Sequence, residues 1–386
     1  VTQDAGRKSR KLINRLYRQN PSAKLIATGC HASLQPEQVA ENLGVDLVIP
    51  NQEKDQLATT VMQAFAAPTM PDSATEPGET ALFTRGRQRA FIKIQDGCRY
   101  RCSFCIVTVA RGDERSRTPQ AIIQEINRLT EQGVKEIVLT GVHVGGYGSD
   151  LSTNLFALVK QILAETDVPR LRFASVEPWD LPDDFFSLFA NPRVMPHMHL
   201  PLQSGSDSVL RRMSRRCKTA EFARLVEYAR EQVPNFNVTT DIIVGFPNET
   251  EQEWQDSLAF VEQIGFGHIH IFAYSPREGT KAARLPNPVP HDIKKQRSQV
   301  MHELAAKLRQ AALQTQLTQT VDVLWEKAQP VNPHNPLGQV RVNGYTPNFF
   351  KVSTTVAATK LLENKITATN ITAIDETDLR LIGELH

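Results

Sequence analysis

Five cysteines stand in this 386-residue chain, and three fall together as Cys98-Arg-Tyr-Arg-Cys102-Ser-Phe-Cys105. Three thiolates on one short loop can hold three irons of a [4Fe–4S] cluster. A cube has four irons, so one is left without a protein ligand. The next cysteine, Cys217, stands far along the chain. An open iron can bind a substrate or cofactor, by the logic that separates catalytic from structural metal sites. Zinc is the rival occupant. It favours four nitrogen or sulfur ligands in paired C-x₂-C or Cys/His patterns. Here one spacer is three residues long and no matching pair exists, so the spacing favours the cluster.

The elements that must position this loop form a strand/helix rhythm. Six strand-like segments, 90–95, 136–140, 170–175, 197–202, 237–244 and 268–274, are apolar and rich in β-branched residues. Amphipathic helical patterns lie between them, and a long helix is expected at about 291–316. Such alternation predicts a parallel sheet, and six units predict a partial (β/α)6 barrel rather than the closed eight. The cysteine loop directly follows the first of these strands. Residues 1–67 read as a smaller α/β unit, with helices at 6–19, 36–43 and 53–66 and strands at 23–28 and 46–49. Residues 68–80 hold three prolines and a glycine and cannot form a core, so 68–88 is expected to be a linker. From 318 to 386 short alternating segments predict an all-β module. The division expected is therefore 1–67, 68–88, 89–317 and 318–386.

Composition narrows the class. Apolar residues make up 40% and charged residues 22%, enough to bury cores. No apolar run approaches the ~18 residues that span a bilayer. The net charge of +2 excludes a protein that coats nucleic acid by bulk charge, but leaves room for local patches. Too few cysteines are present for a disulfide scaffold. With no signal peptide visible, a cytoplasmic protein is expected.

The loop, with Phe104 just before its last cysteine, resembles the signature of radical S-adenosylmethionine (SAM) enzymes. The segments TGVHVGGYGSDL (140–151), SVEPWDL (175–181), HLPLQSGSDSVLRRMSRR (199–216) and TDIIVGFPNETEQEW (240–254) extend the likeness. Together they resemble the methylthiotransferase family, and SVEPWDL and GVHVGGYG are most similar to its MtaB branch. The resemblance implies an N-terminal methylthiotransferase domain, a radical SAM barrel and a C-terminal TRAM domain, a small RNA-binding barrel. It implies that the open iron chelates SAM and that an electron from the cluster releases a 5′-deoxyadenosyl radical. The substrate implied is tRNA carrying N6-threonylcarbamoyladenosine beside the anticodon, which gains a methylthio group at C2. Methylthiolation of a ribosomal protein side chain, or an RNA-binding protein with a structural cluster, are the alternatives. An electron donor such as a flavodoxin and a monomeric state are expected. In the family a second [4Fe–4S] cluster sits on three widely separated cysteines. Cys30 matches the last of these, and the other two would lie upstream of Val1, so the chain is expected to lack part of its N-terminal domain. Cys217 matches no family ligand.

Other residues take roles beside these. Glu177 follows a barrel strand, where a carboxylate can accept hydrogen bonds from a ribose diol or an ammonium group. A solvated loop acid is the alternative. Gln203 offers both a donor and an acceptor to a cofactor. Asp241, inside the fifth strand, is a further candidate contact to the cofactor. Gly245 and Gly145 permit close backbone approach, to adenine and near methionine respectively. His197/His199 and His268/His270 each place two rings on one strand face. With no companion Lys or Asp pattern obvious, they are read as packed or hydrogen-bonded histidines. Seven basic side chains (Arg7, Lys8, Arg10, Lys11, Arg15, Arg18 and Lys24) face only Asp4 in the first thirty residues. Arg211, Arg212, Arg215 and Arg216 form a second patch suited to phosphates. Phe349 and Lys351 are candidate stacking and charge contacts for RNA.

Overall fold

The computed structural model describes residues 3–42, 44–65, 88–332, 334–335 and 337–386. The expected linker at 68–88, apart from Gln88, lies outside them. Two compact units account for the described chain. One takes the described residues of 1–78 with 96–115 and 275–285. The other takes those of 79–95, 116–274 and 286–386.

In the first unit, helix α1 (Gln3–Gln19) precedes strand β1 (Ile26–Thr28), helices α2 (Cys30–Leu34) and α3 (Pro36–Asn42), strand β2 (Leu47–Ile49) and helix α4 (Leu57–Ala64). β1 and β2 pair in parallel, Ala27 against Val48. The helix expected from residue 53 begins instead as a 3₁₀ turn, Asn51–Gln56. Helix α5 (Val107–Arg111) belongs to the same unit and follows the cysteine loop.

The second unit contains the half barrel. Strands β3 (Arg89–Asp96), β4 (Glu136–Gly141) and β5 (Arg170–Phe173) pair in parallel. Strands β6 (His197–His199), β7 (Asn237–Val244) and β8 (His268–Ala273) form a second parallel set. Bridges Leu171–Val194 and Ser175–His199 stitch the two sets together. The helices alternate with the strands as the apolar periodicity requires. Helix Pro119–Glu131 starts on a Thr118 cap with proline at its first turn and buries Ile122, Ile123 and Ile126. Helix Glu251–Ile264 starts on a Thr250/Glu253 capping box and buries Trp254, Phe260 and Val261. The core runs continuously from Ile92 and Ile94 to Met301 on the long helix His291–Gln314.

The C-terminal module is a six-stranded sheet: β9 (Thr320–Trp325), β10 (Gln329–Pro330), β11 (Gln339–Tyr345), β12 (Lys351–Ala357), β13 (Ile366–Asp375) and β14 (Arg380–Leu385). β9 pairs with both β13 and β11, so the sheet closes on itself around Trp325, Val342 and Val352. Among the described residues no helix is long and apolar enough to cross a membrane.

Candidate active site

The cysteine loop is built by backbone constraint. Gly97 sits at φ +77°, and a Cβ there would lie 1.9 Å from the Asp113 carbonyl oxygen. Only glycine lets the chain fold back on residues 112–113. Cys98 N–H then donates to Gly112 O at 3.2 Å, and Cys105 N–H to Cys102 O at 3.0 Å. Thr108 Oγ1 reaches Tyr100 O at 2.9 Å and Cys98 O at 3.2 Å. Val107 N–H points at Cys105 Sγ, 3.5 Å away. Phe104 is half-buried. Burial, followed by the neighbouring Cys102 and Cys105, pushes the Cys98 thiol up to about 12. Thiols this crowded ionise together only on a cation, which is what an iron cluster supplies. The donor set fits three ligands of a [4Fe–4S] cluster.

Cys30 lies in the same unit, at the start of α2 after Gly29 in a left-handed conformation (φ 101°). Asn51 Nδ2 donates to Cys30 Sγ at 3.6 Å and to Ala110 O at 3.0 Å. Arg111 ion-pairs with Asp96 at 3.0 Å. Burial opposes the Arg111 charge, but hydrogen bonds to Asp96 and Cys30 outweigh it and raise its pKa. A cavity of about 1160 Å³ opens over Cys30, lined also by Arg7, Arg10, His31, Arg111 and Arg277. The Asn51 and Arg111 contacts were invisible in the sequence, because both reach Cys30 across a fold.

At the ends of the barrel strands, Glu177 accepts a hydrogen bond from Arg215 at 2.7 Å. Gln203 is buried at φ 78°, an uncommon conformation for a side chain of its size. It is held there by Gln203 N–H to Asp241 O at 2.8 Å and Ile243 N–H to Gln203 O at 2.9 Å. Two glycines expected at the cofactor are each crowded by the protein itself. A Cβ on Gly145 would meet Asp180 Cβ at 2.7 Å, and Asp180 is fixed by His143 Nε2 at 2.5 Å. A Cβ on Gly245, at φ +72°, would meet the Lys294 side chain at 2.2 Å. The close approach at each is made by the protein's own side chain.

Asp241 faces the lumen of the half barrel. Its Oδ1 lies 3.2 Å from His199 Nε2, and the ligand atoms of Asp241, His199 and His270 all lie within 4.8 Å of one another. The companion carboxylate that the H-x-H pairs lacked in sequence is supplied by the neighbouring strand, with Asp241 in register with His270. Thr239 Oγ1 bridges His199 Nδ1 (2.9 Å) and His197 Nε2 (3.0 Å). Below lies a buried charge network in which Glu136 takes Arg172 at 3.1 Å and also Arg89. Burial opposes the Glu136 charge, but Arg172 and Arg89 prevail and hold its pKa at about 2. The lumen encloses about 470 Å³.

The residues expected to contact RNA differ in how far they are already engaged within the protein. Phe349 stacks on Tyr345 (4.9 Å) and His197 (4.8 Å), with the Arg172 guanidinium 4.7 Å from its ring centre. Packed on these rings, it lines the floor of the lumen. Lys351, the first residue of β12, also lines the lumen. Arg215 is buried against Glu177 and stacks 4.4 Å over Trp179. Arg212 is tied to both oxygens of Glu253, at 2.8 and 2.7 Å. Arg211 and Arg216 remain exposed. Cys217 is buried, its thiol pushed up to about 12 by that burial.

Known proteins match this architecture. The Radical SAM superfamily model matches residues 92–261. The threonylcarbamoyladenosine tRNA methylthiotransferase MtaB of Thermotoga maritima is 39% identical over 79% of this chain and 71% of its own length. The protein of the same name from Chlamydia pneumoniae is 34% identical over 100% of this chain and 87% of its own. A tRNA-2-methylthio-N(6)-dimethylallyladenosine synthase of Oceanobacillus iheyensis is 34% identical over 91% of this chain and 69% of its own. Among solved structures, the radical SAM methyltransferase TsrM of Kitasatospora setae shares the fold, with a TM-score of 0.55 at 16% identity over 72% of this chain and 62% of its own. With the cysteine loop, the half barrel and these relatives in agreement, the chain belongs to the MtaB branch of the radical SAM methylthiotransferase family.

Proposed function

We propose that the chain is a tRNA methylthiotransferase that adds a methylthio group to C2 of N6-threonylcarbamoyladenosine beside the anticodon. The observation that carries this reading is the packing of two sulfur sites into one unit. Helix Val107–Arg111 follows Cys105 directly, and its Val109 and Arg111 line the cavity over Cys30. That arrangement suits one cluster on Cys98, Cys102 and Cys105 and a second with Cys30 among its ligands. Cys98, Cys102 and Cys105 would hold the first, which would supply the electron for reductive cleavage of SAM, and Cys30 would help hold the second, which would supply sulfur. Glu177 and Gln203, at the strand ends, are the proposed polar contacts to SAM, with Arg215 fixing the Glu177 carboxylate. Phe104 is the proposed apolar neighbour of the cluster. A reductant of the flavodoxin type, a monomeric enzyme and a C-terminal RNA-docking barrel complete the reading. The test is incubation of reconstituted protein with SAM, reductant and tRNA bearing threonylcarbamoyladenosine. A methylthio derivative detected by nucleoside mass spectrometry supports the reading. SAM cleavage without any change in that nucleoside contradicts it.

A further inference from the structure

Relatives named for two different modified adenosines each match this chain at 34% identity. On β8 the residues His268, His270 and Phe272 alternate onto one face. Phe272 is 50% exposed at the C-terminal end, an apolar surface on which a base can stack. One rung deeper stand His270 and Asp241, with His199 beside them. Deeper still, by about 6.6 Å for two strand residues, lie His268 and Thr239. Arg309 Nη1 donates to His268 Nδ1 at 3.0 Å, which places the proton of that ring on Nε2. Arg309 and Lys351 both line this end of the lumen, while Glu136 is already occupied by Arg89 and Arg172. Among the described residues lining the lumen, Asp241 is the only acidic one, set against Arg309 and Lys351 besides the Arg89 and Arg172 that Glu136 engages.

We infer that this lumen binds the N6 substituent of the substrate base and selects one that ends in a carboxylate, received by Lys351 and Arg309 with His270 hydrogen-bonding the arm above them. The inference rests on the methylthiotransferase reading and adds the residues that choose the substrate. An amino-acid arm spans about the one-rung distance between the His270 and His268 levels. A purely hydrocarbon arm would enclose Arg309 and Lys351 without a counter-charge, which a pocket disfavours strongly. Lys351 comes from the C-terminal β module, so that module supplies part of the substrate pocket.

Calorimetric titration of the reconstituted protein with threonylcarbamoyladenosine, dimethylallyladenosine and adenosine tests this. Threonylcarbamoyladenosine is expected to bind at least about ten-fold tighter than either other nucleoside. Lys351→Met and His270→Leu are each expected to weaken it by about ten- to a hundred-fold, leaving adenosine unaffected. Circular dichroism melting checks that both variants fold, and Lys351→Met decides alone should His270→Leu fail to. Equal binding of the three nucleosides, or unchanged affinity in a folded variant, overturns the inference. So does zinc or manganese that survives chelator washing in the wild type and is lost in His270→Leu, which would make the rung a cation site. If selectivity holds but threonylcarbamoyladenosine tRNA is never methylthiolated, the enzymatic reading fails and the pocket assignment stands.

Discussion

At the residue scale, the chemistry of the site rests on the three thiols of the cysteine loop. Cys98, Cys102 and Cys105 could be singled out because a loop of eight residues holds all three. Nothing near Gly145 or Gly245 in sequence announces Asp180 or Lys294, and Arg215 reads as surface charge until Glu177 and Trp179 arrive. Cys105→Ala should abolish SAM cleavage, read as loss of 5′-deoxyadenosine, because the remaining thiols cannot hold the cluster. Gln203 makes a different prediction. A non-glycine residue at φ 78° costs about 1–3 kcal/mol, so Gln203→Gly should stabilise the protein by roughly 1 kcal/mol in urea unfolding while slowing SAM cleavage. Loss of stability in that variant would mean that the backbone there is unstrained.

At the element scale, the six-strand rhythm and the closing all-β module were legible because apolar periodicity is set by burial on a sheet. The floor of the half barrel was not, because it is assembled from Glu136, Arg172, His197 and Phe349, which come from four separate strands and turns. Removing the Glu136 carboxylate leaves two buried guanidinium groups without their partner, so Glu136→Gln should cost about 3–5 kcal/mol in chemical unfolding. The pH dependence has a definite sign. Glu136 falls from its ordinary 4.5 to about 2 in the folded state, so the unfolded chain binds the extra proton between those values. Its contribution is complete above pH 4.5 and is lost as pH falls through 2. Burial and then Arg309 lower His268 from 6.5 to about 4, which removes stability in the same direction as pH falls from 6.5 through 4. Wild-type stability should therefore decline with acid from pH 6.5 downward, and Glu136→Gln should flatten the part below 4.5. A Glu136→Gln profile parallel to wild type below pH 4.5 would show that the carboxylate is not held by its arginines.

At the scale of the whole molecule, a net charge of +2 conceals an uneven surface. Lys11 and Arg15 on α1 and Arg211 are exposed, whereas Arg212 and Arg215 are engaged with carboxylates. Phosphate contacts give tRNA binding a salt dependence of somewhat under one unit of log–log slope each. Replacing Lys11, Arg15 and Arg211 by alanine should lower that slope by roughly 2, measured by filter binding across salt concentrations, and Arg215→Met should leave it unchanged. A slope unmoved by the triple replacement would place the tRNA backbone elsewhere. The central claim, that this chain is the methylthiotransferase of threonylcarbamoyladenosine, is tested most directly in cells. Nucleosides from total tRNA of a strain lacking the gene are measured by mass spectrometry, with and without complementation by wild type or Cys105→Ala. The account predicts that 2-methylthio-threonylcarbamoyladenosine disappears in the deletion, with threonylcarbamoyladenosine left in its place, and returns only with the wild-type gene. An unchanged level of the methylthio nucleoside in the deletion strain would contradict it.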